Sequence, residues 1–255
     1  MNRIETSMSV FERLRFVLVE PSHPGNVGAV ARAMKTMGFS ELVLVNPRFP
    51  QVCAMPDAVA FASGALDVLE GARITASLEQ ALEGVHFAAA LSSRQREYAP
   101  PRMTPRQLAG HIASDPGMRA ALVFGSERFG LSNQAVALCN ALIHIPANPD
   151  YASLNLAQAA QVLAYECRMQ VEEGEGGEKS AQRIGFQGQA ATADQVEGMY
   201  AHLERALVKL DFLDPANPRK LMPRLRRLFA RTQLETEEVN ILRGIANKIL
   251  DESGS

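Results

Sequence analysis

Short apolar runs at 16–20, 41–46, 86–92, 120–125 and 141–146 read as strands, and the stretches between them repeat apolar residues at helical spacing. Alternation of this kind predicts an α/β fold, a mostly parallel sheet with helices on both faces. The clearest helix follows the first strand: Val27, Val30, Ala31, Met34 and Met37 share one side, Arg32, Lys35 and Thr36 lie on another, and Gly38 suits a C-cap. A second helix begins near Ser153. Its stripe is Leu156, Ala159, Ala160, Leu163 and Cys167, with Gln158, Gln161 and Arg168 off it, and it runs to about Val171.

There the pattern stops. From Glu172 to Thr192 the chain is polar and Gly-rich without helical or strand period, as linkers are. Beyond it, 193–213, 218–230 and 236–250 read as three helices, with Asp214-Pro215 and Asn217-Pro218 as turn signals and Thr236 followed by Glu237 and Glu238 as a helix start. The expected organisation is an α/β domain over 1–171, an acidic linker over 172–192 and a small helical module over 193–255.

With 255 residues, 47% of them apolar and 21% charged, the chain has the composition of a folded globular protein rather than a disordered one. Cys53, Cys139 and Cys167 form no Cys-x-x-Cys pair, which argues against a disulfide framework or zinc ribbon and fits a reducing cytoplasm. No apolar run exceeds five residues, and none at the start reads as a signal peptide, so a soluble cytoplasmic protein is expected. A net charge of −2 conceals an uneven distribution: six basic residues and no acid between Pro218 and Thr232, against four acids and no base between Glu172 and Glu178. The basic stretch is the kind of surface that gathers a nucleic-acid backbone, although a solvated helix face has the same composition.

Neither G-x-G-x-x-G after a strand nor G-x-x-x-x-G-K-[ST] occurs, which removes the ordinary dinucleotide and P-loop readings. The five histidines have no metal-ligand spacing, so no metal is expected. Three strand-to-helix junctions remain. PSHPGNVGAVARAMKTMGF, from Pro21 to Phe39, leaves a strand through two prolines and a glycine and enters a helix carrying Arg32 among small apolar residues. VFGSERFGLSNQ, from Val123 to Gln134, ends a strand in Gly-Ser-Glu, where a glycine lets a ligand approach the backbone. IPANPDYASLNLAQA, from Ile145 to Ala159, breaks a strand at proline and enters the long helix at Ser153-Leu154-Asn155. Each also has a plain reading: Asn26, Ser153 and Asn155 as helix caps, Gly125 as a turn.

Together and in this order, the three stretches resemble the motifs of the SpoU branch of the SPOUT RNA methyltransferases: Asn26 and Arg32 in the first, G-x-E-x-x-G in the second, and I-P-x-x-x-x-Y-x-S-L-N-L-A-x-A in the third. The resemblance spans Arg15 to about Gln170, and the helical tail is most similar to TrmJ-type tRNA ribose methyltransferases. It implies a C-terminal trefoil knot in the α/β domain and S-adenosylmethionine bound bent in the knotted loops of a homodimer. It also implies tRNA as the substrate, methylated on a ribose 2′-hydroxyl, at cytidine or uridine 32 of the anticodon loop. Methylation of ribosomal RNA, or RNA binding without catalysis, are the alternatives.

Carried onto this chain, the resemblance puts Arg32, Asn26, Glu127, Ser153 and Asn155 in catalysis. Leu91, Ser92, Ser93, Gly125, Ile145, Ala152, Ser153 and Leu154 would line the cofactor pocket, largely through main-chain groups. These loops all follow strand carboxyl ends, where an open α/β sheet offers its crevice. Two departures stand out: Leu91 where relatives often carry Thr, and Ser126 where TrmJ-type proteins often carry Arg. Because arginine stays protonated, Arg32 is expected to fork onto a neighbouring phosphate and steady the developing oxyanion rather than act as a base. RNA binding is expected from Arg219, Lys220, Arg224, Arg226 and Arg227, with Arg231, helped by Arg94, Arg96, Arg102 and Arg106.

Overall fold

The computed structural model describes residues 9–92, 99–175 and 189–251. Seven strands, β1 (Leu14–Val19), β2 (Leu42–Val45), β3 (Arg73–Thr75), β4 (Phe87–Leu91), β5 (Arg102–Met103), β6 (Ala120–Phe124) and β7 (Ala141–Ile143), form one sheet in the order β3-β2-β1-β6-β4-β7-β5. Every pairing is parallel. The five expected strands are present, each stopping short of the polar residue, glycine or proline at its C-terminal end. Strands β3 and β5 were not expected from the pattern. They form the two edges of the sheet, and a strand of three residues or two at an edge needs no apolar run.

Side chains alternate between two cores. Phe16, Leu18, Leu42, Leu44, Leu122 and Phe124 face one, and Val17, Val43, Val45, Ala121 and Val123 face the other. Covering both faces explains why these strands, apart from Arg15 in β1, are apolar rather than alternating. On the first face lie the helices Pro24–Thr36, Pro105–Ser114 and Leu156–Glu175, whose Val30, Met34, Leu108, Ile112, Ala160 and Leu163 complete that core. The Pro24–Thr36 helix starts with proline in its first turn and ends in a Schellman motif: Gly38, at φ 88°, donates to the Lys35 carbonyl at 3.1 Å, and Phe39 donates to Met34 at 2.9 Å. The expected C-cap role of Gly38 is thereby met.

The long helix begins at Leu156 and continues to Glu175, past the expected end at Val171. An ion pair of 2.9 Å between Arg168 and Glu172, one turn apart, supports that extension, so the first acids of the acidic stretch are helical. In the tail, Ala193–Lys209, Leu221–Phe229 and Thr236–Asp251 are helices, packed around Met199, Tyr200 and Val239. The tail touches the sheet domain at defined places. The Ala193 amide donates to the Val85 carbonyl at 2.7 Å, Gln233 bonds His111, and the Leu221–Phe229 helix lies beside the short Asn133–Ala137 helix. No helix of the described residues is long and apolar enough to cross a membrane, and no group of three or more metal-ligating side chains occurs among them.

Candidate active site

The carboxyl ends of β4, β6 and β7 open onto one cleft of about 190 Å³. Its walls are Leu91 at the end of β4 and Ser92 after it, residues 125–131 after β6, and Ile145 with Ala152, Ser153 and Leu154 after β7. Phe124, Leu156 and Ala159 close the floor. Seven of the eight residues expected around a cofactor, Leu91, Ser92, Gly125, Ile145, Ala152, Ser153 and Leu154, thus share this cleft. Ser93 lies outside the described residues, as do Arg94 and Arg96. Phe124, Arg128, Phe129, Leu131, Leu156 and Ala159 also line it and were missed. The apolar ones looked like core, and nothing in the pattern distinguishes a buried leucine under a ligand from one under a helix.

Gly125 has a reason beyond ligand approach. A Cβ there would stand 2.1 Å from the carbonyl carbon of Gly130 and 2.3 Å from the Leu131 nitrogen. The loop folds back on its own start, with the Gly130 amide donating to the Ser126 carbonyl at 2.9 Å. Only a residue without a side chain admits that approach.

Glu127 joins the three junctions. Its carboxylate accepts from the Ser22 amide (3.0 Å) and hydroxyl (2.8 Å), from the His23 amide (3.2 Å) and from the Asn26 side-chain amide (3.0 Å). An ionised carboxylate only accepts, so Asn26 must turn its NH2 toward Glu127 and its Oδ1 away. That Oδ1 accepts from the Asn155 side-chain amide at 3.0 Å, which leaves the Asn155 Oδ1 to accept from the Ala157 amide at 2.9 Å and cap the long helix. One negative charge thereby fixes the orientation of two amides more than a hundred residues apart. Burial of the Glu127 carboxyl works to raise its pKa, but the hydrogen bonds from Asn26 and Ser22 outweigh it and hold the group below the usual carboxylate value.

The plain capping readings are therefore decided differently for each residue. Asn155 does cap, as well as reaching Asn26. Asn26 does not: the N-cap is His23, without a side-chain bond, and Asn26 lies in the first turn facing Glu127. Ser153 is exposed in the cleft wall.

Arg32 does not join this cluster. It is exposed, lines no part of the cleft, and has no side-chain partner among the described residues. Six residues beyond Asn26 on the same helix, it stands roughly 9 Å further along the axis. Among the basic residues of the tail, Arg219, Lys220, Arg224, Arg227 and Arg231 are exposed. Arg226 departs from the expectation that it faces RNA: it is half-buried, forms a two-pronged pair with Glu197 and lies over the Tyr200 ring at 4.3 Å from the centroid. Near the cleft loops, Arg102 is exposed in β5, and Arg106 is paired with Glu166 at 3.0 Å.

Residues 13–165 match the model of the SpoU rRNA methylase family, and residues 194–254 match that of the C-terminal domain of the tRNA methyltransferase TrmJ. The chain belongs to the SpoU methylase family. It is 46% identical over 245 residues to the tRNA (cytidine/uridine/adenosine-2′-O-)-methyltransferase TrmJ of Pseudomonas aeruginosa strain UCBPP-PA14, covering 92% of this chain and 93% of that one. The tRNA (cytidine/uridine-2′-O-)-methyltransferase TrmJ of Escherichia coli K12 is 42% identical over 244 residues, with 94% and 96% covered. The crystal structure of TrmJ from Z. mobilis ZM4 superposes with a TM-score of 0.78 at 32% identity, covering 93% of this chain and 99% of the other. Within the SpoU family, then, sheet domain and tail both resemble TrmJ, and the junctions at Asn26, Glu127 and Asn155 fall inside the family match.

Proposed function

We propose that this protein is a cytoplasmic, homodimeric tRNA methyltransferase that uses S-adenosylmethionine to methylate the ribose 2′-hydroxyl of cytidine or uridine 32 in the anticodon loop. The observation that carries this reading is the Glu127 junction, where the three family motifs meet beside a cleft at the strand ends. We assign the sheet domain, through the end of the long helix at Glu175, to catalysis, with a trefoil knot in its C-terminal part, and the helical tail, with Ala191 and Thr192 at its start, to a module that binds tRNA or steadies the enzyme.

The cleft residues fit the cofactor chemically. Leu91, Phe124, Ile145, Leu154 and Leu156 give an apolar bed for a flat heterocycle, and the strand-end loops supply main-chain donors and acceptors. The cleft, about 190 Å³, is open to solvent on one side. When bound, the cofactor supplies an electrophilic methyl group on a sulfonium.

What the chain must supply is help for the alcohol. Arg32 is permanently cationic and presents a planar fork, so it can bind the phosphate next to the ribose and stabilise charge growing on the 2′-oxygen. The proton goes to that phosphate in this scheme. Since Arg32 does not line the cleft of its own chain, the homodimer reading has a chemical motive: the helix of a second copy brings the arginine. Asn26 and Asn155 position the helix and the third-motif loop against Glu127, and Ser153 offers a hydroxyl to the ribose. The basic helix Leu221–Phe229 abuts Asn133–Ala137, which follows directly on the cleft loop, so a backbone crossing the tail leads to the mouth.

Incubating the full-length protein with methyl-labelled cofactor and either unmodified tRNA or ribosomal RNA, then mapping the methylated nucleotide, tests the proposal. Label at ribose 32 of tRNA is the expected result. Label in ribosomal RNA, or none in either, defeats it.

A further inference from the structure

Phe129 is 70% exposed although it belongs to the wall of the cleft. Leaving a phenyl ring in water forfeits roughly 1.5–3 kcal/mol of burial, and a loose loop would tuck it away. This loop is not loose. The Phe129 amide bonds the Ser126 hydroxyl at 3.4 Å, Gly130 bonds Ser126 at 2.9 Å, and residues 126 and 130 form an antiparallel bridge. Two residues before the ring, the Glu127 carboxylate is held by four donors. The backbone thus presents the ring outward, and the Arg128 guanidinium lies 5.4 Å from its centroid.

Resting on the methyltransferase reading of the cleft, we infer that Phe129, flanked by Arg128, is the stacking platform for the base of the nucleotide whose 2′-hydroxyl is methylated. That base is one glycosidic bond from the sugar that must enter the cleft, so it comes to rest at the rim, where the ring stands. An exposed ring beside a cation at the rim of a cleft has the makeup of a nucleic-acid platform, where bases stack on rings and cations meet phosphates. Stacking uses a face that every base possesses, so Phe129 holds the nucleotide without reading its identity.

The test uses full-length enzyme, labelled S-adenosylmethionine, a tRNA transcript, and the same transcript carrying an abasic ribonucleotide, with its 2′-hydroxyl, at the methylated position. Phe129→Ala is expected to lower kcat/KM for tRNA by about tenfold or more, a larger factor than any loss of cofactor affinity. Phe129→Trp should restore turnover, and Phe129→Leu, apolar but without a π face, should not. On the abasic transcript the wild type should lose about as much as the alanine variant does on normal tRNA, and the alanine variant should lose nothing further, the mark of one shared interaction. Turnover of tRNA by Phe129→Ala at the wild-type rate, an equal loss of cofactor affinity, or fully additive losses overturns the inference. A wild type that methylates no tRNA fails the functional reading itself and is told apart by that control.

Discussion

In the sheet, Phe16, Leu18, Leu122 and Phe124 are at most 1% exposed, whereas in the tail the helix Leu221–Phe229 buries none of its residues. The sheet is held by apolar area on both faces. The tail has a small cluster at Ala191, Met199, Tyr200 and Val239, and supplements it with the Arg226–Glu197 pair under the Tyr200 ring and with its contacts to the sheet domain. The contrast teaches where each region can vary. In the first, the polar groups of the cleft stand in loops at strand ends, while inside β1 the buried Arg15 is held by Glu41 and the Ala81 carbonyl; in the second, most side chains remain at the surface, and the exposed cations can change without emptying a core.

Substitutions can break or sharpen this contrast. Phe16→Ala, in the centre of the sheet, should cost about 3–5 kcal/mol of stability in denaturant unfolding, while Leu228→Ala in the tail should stay within about 0.5 kcal/mol. Comparable losses at both positions would mean that the tail helix is covered in solution. Next in size, Arg32→Ala should lower the methylation rate about 10²–10³-fold with cofactor affinity unchanged by calorimetry, and Arg32→Lys should recover little of it. An alanine variant of normal rate would remove Arg32 from the reaction.

A smaller effect is expected from reversing Arg219, Arg224 and Arg231 together to Glu. Affinity for tRNA should fall, and the slope of log K against log salt should flatten by about 0.7–0.9 for each phosphate that the variant no longer neutralises. Arg226 belongs to a separate experiment, since it is engaged by Glu197: Arg226→Ala should cost about 1–2 kcal/mol by loosening the tail, with the salt slope unchanged. The smallest effect concerns pH. Because hydrogen bonds hold Glu127 below its unfolded pKa, the stability it contributes is present above the ordinary carboxylate value and is lost as pH falls through the lowered one. The Tm gap between wild type and Glu127→Gln should therefore be constant near neutrality and close in acid; a gap unaffected by acid would place the stabilisation elsewhere.

Much of the architecture was legible in the sequence because it rests on apolar periodicity. The five central strands, the Gly38 terminator and the stripe from Leu156 to Cys167 follow from spacing alone. The edge strands β3 and β5 were not legible, being two or three residues long and half in solvent. In the site, Leu91, Gly125, Ile145 and Leu154 were found through family wording, and their meeting in one cleft was anticipated by their position after strands. Phe129 went unnoticed because it fills a free position of G-x-E-x-x-G; an aromatic next to an arginine in a glycine-bounded loop was the available signal. The pairing of Arg226 with Glu197 was not legible, because a run of basic residues says nothing about which of them faces an acid on another helix.

By itself the sequence determined which segments become strands and helices and which residue types stand at their junctions, since local propensity and solvent partition act along the chain. Only the tertiary structure decided that Glu127 would gather Ser22, His23 and Asn26, that Asn155 would serve both the helix and Asn26, and that Arg32 would stand outside its own cleft. Hydrogen bonds reach about 3 Å, so partners a hundred residues apart in sequence are chosen by the strand order that brings β1, β6 and β7 to one end of the sheet.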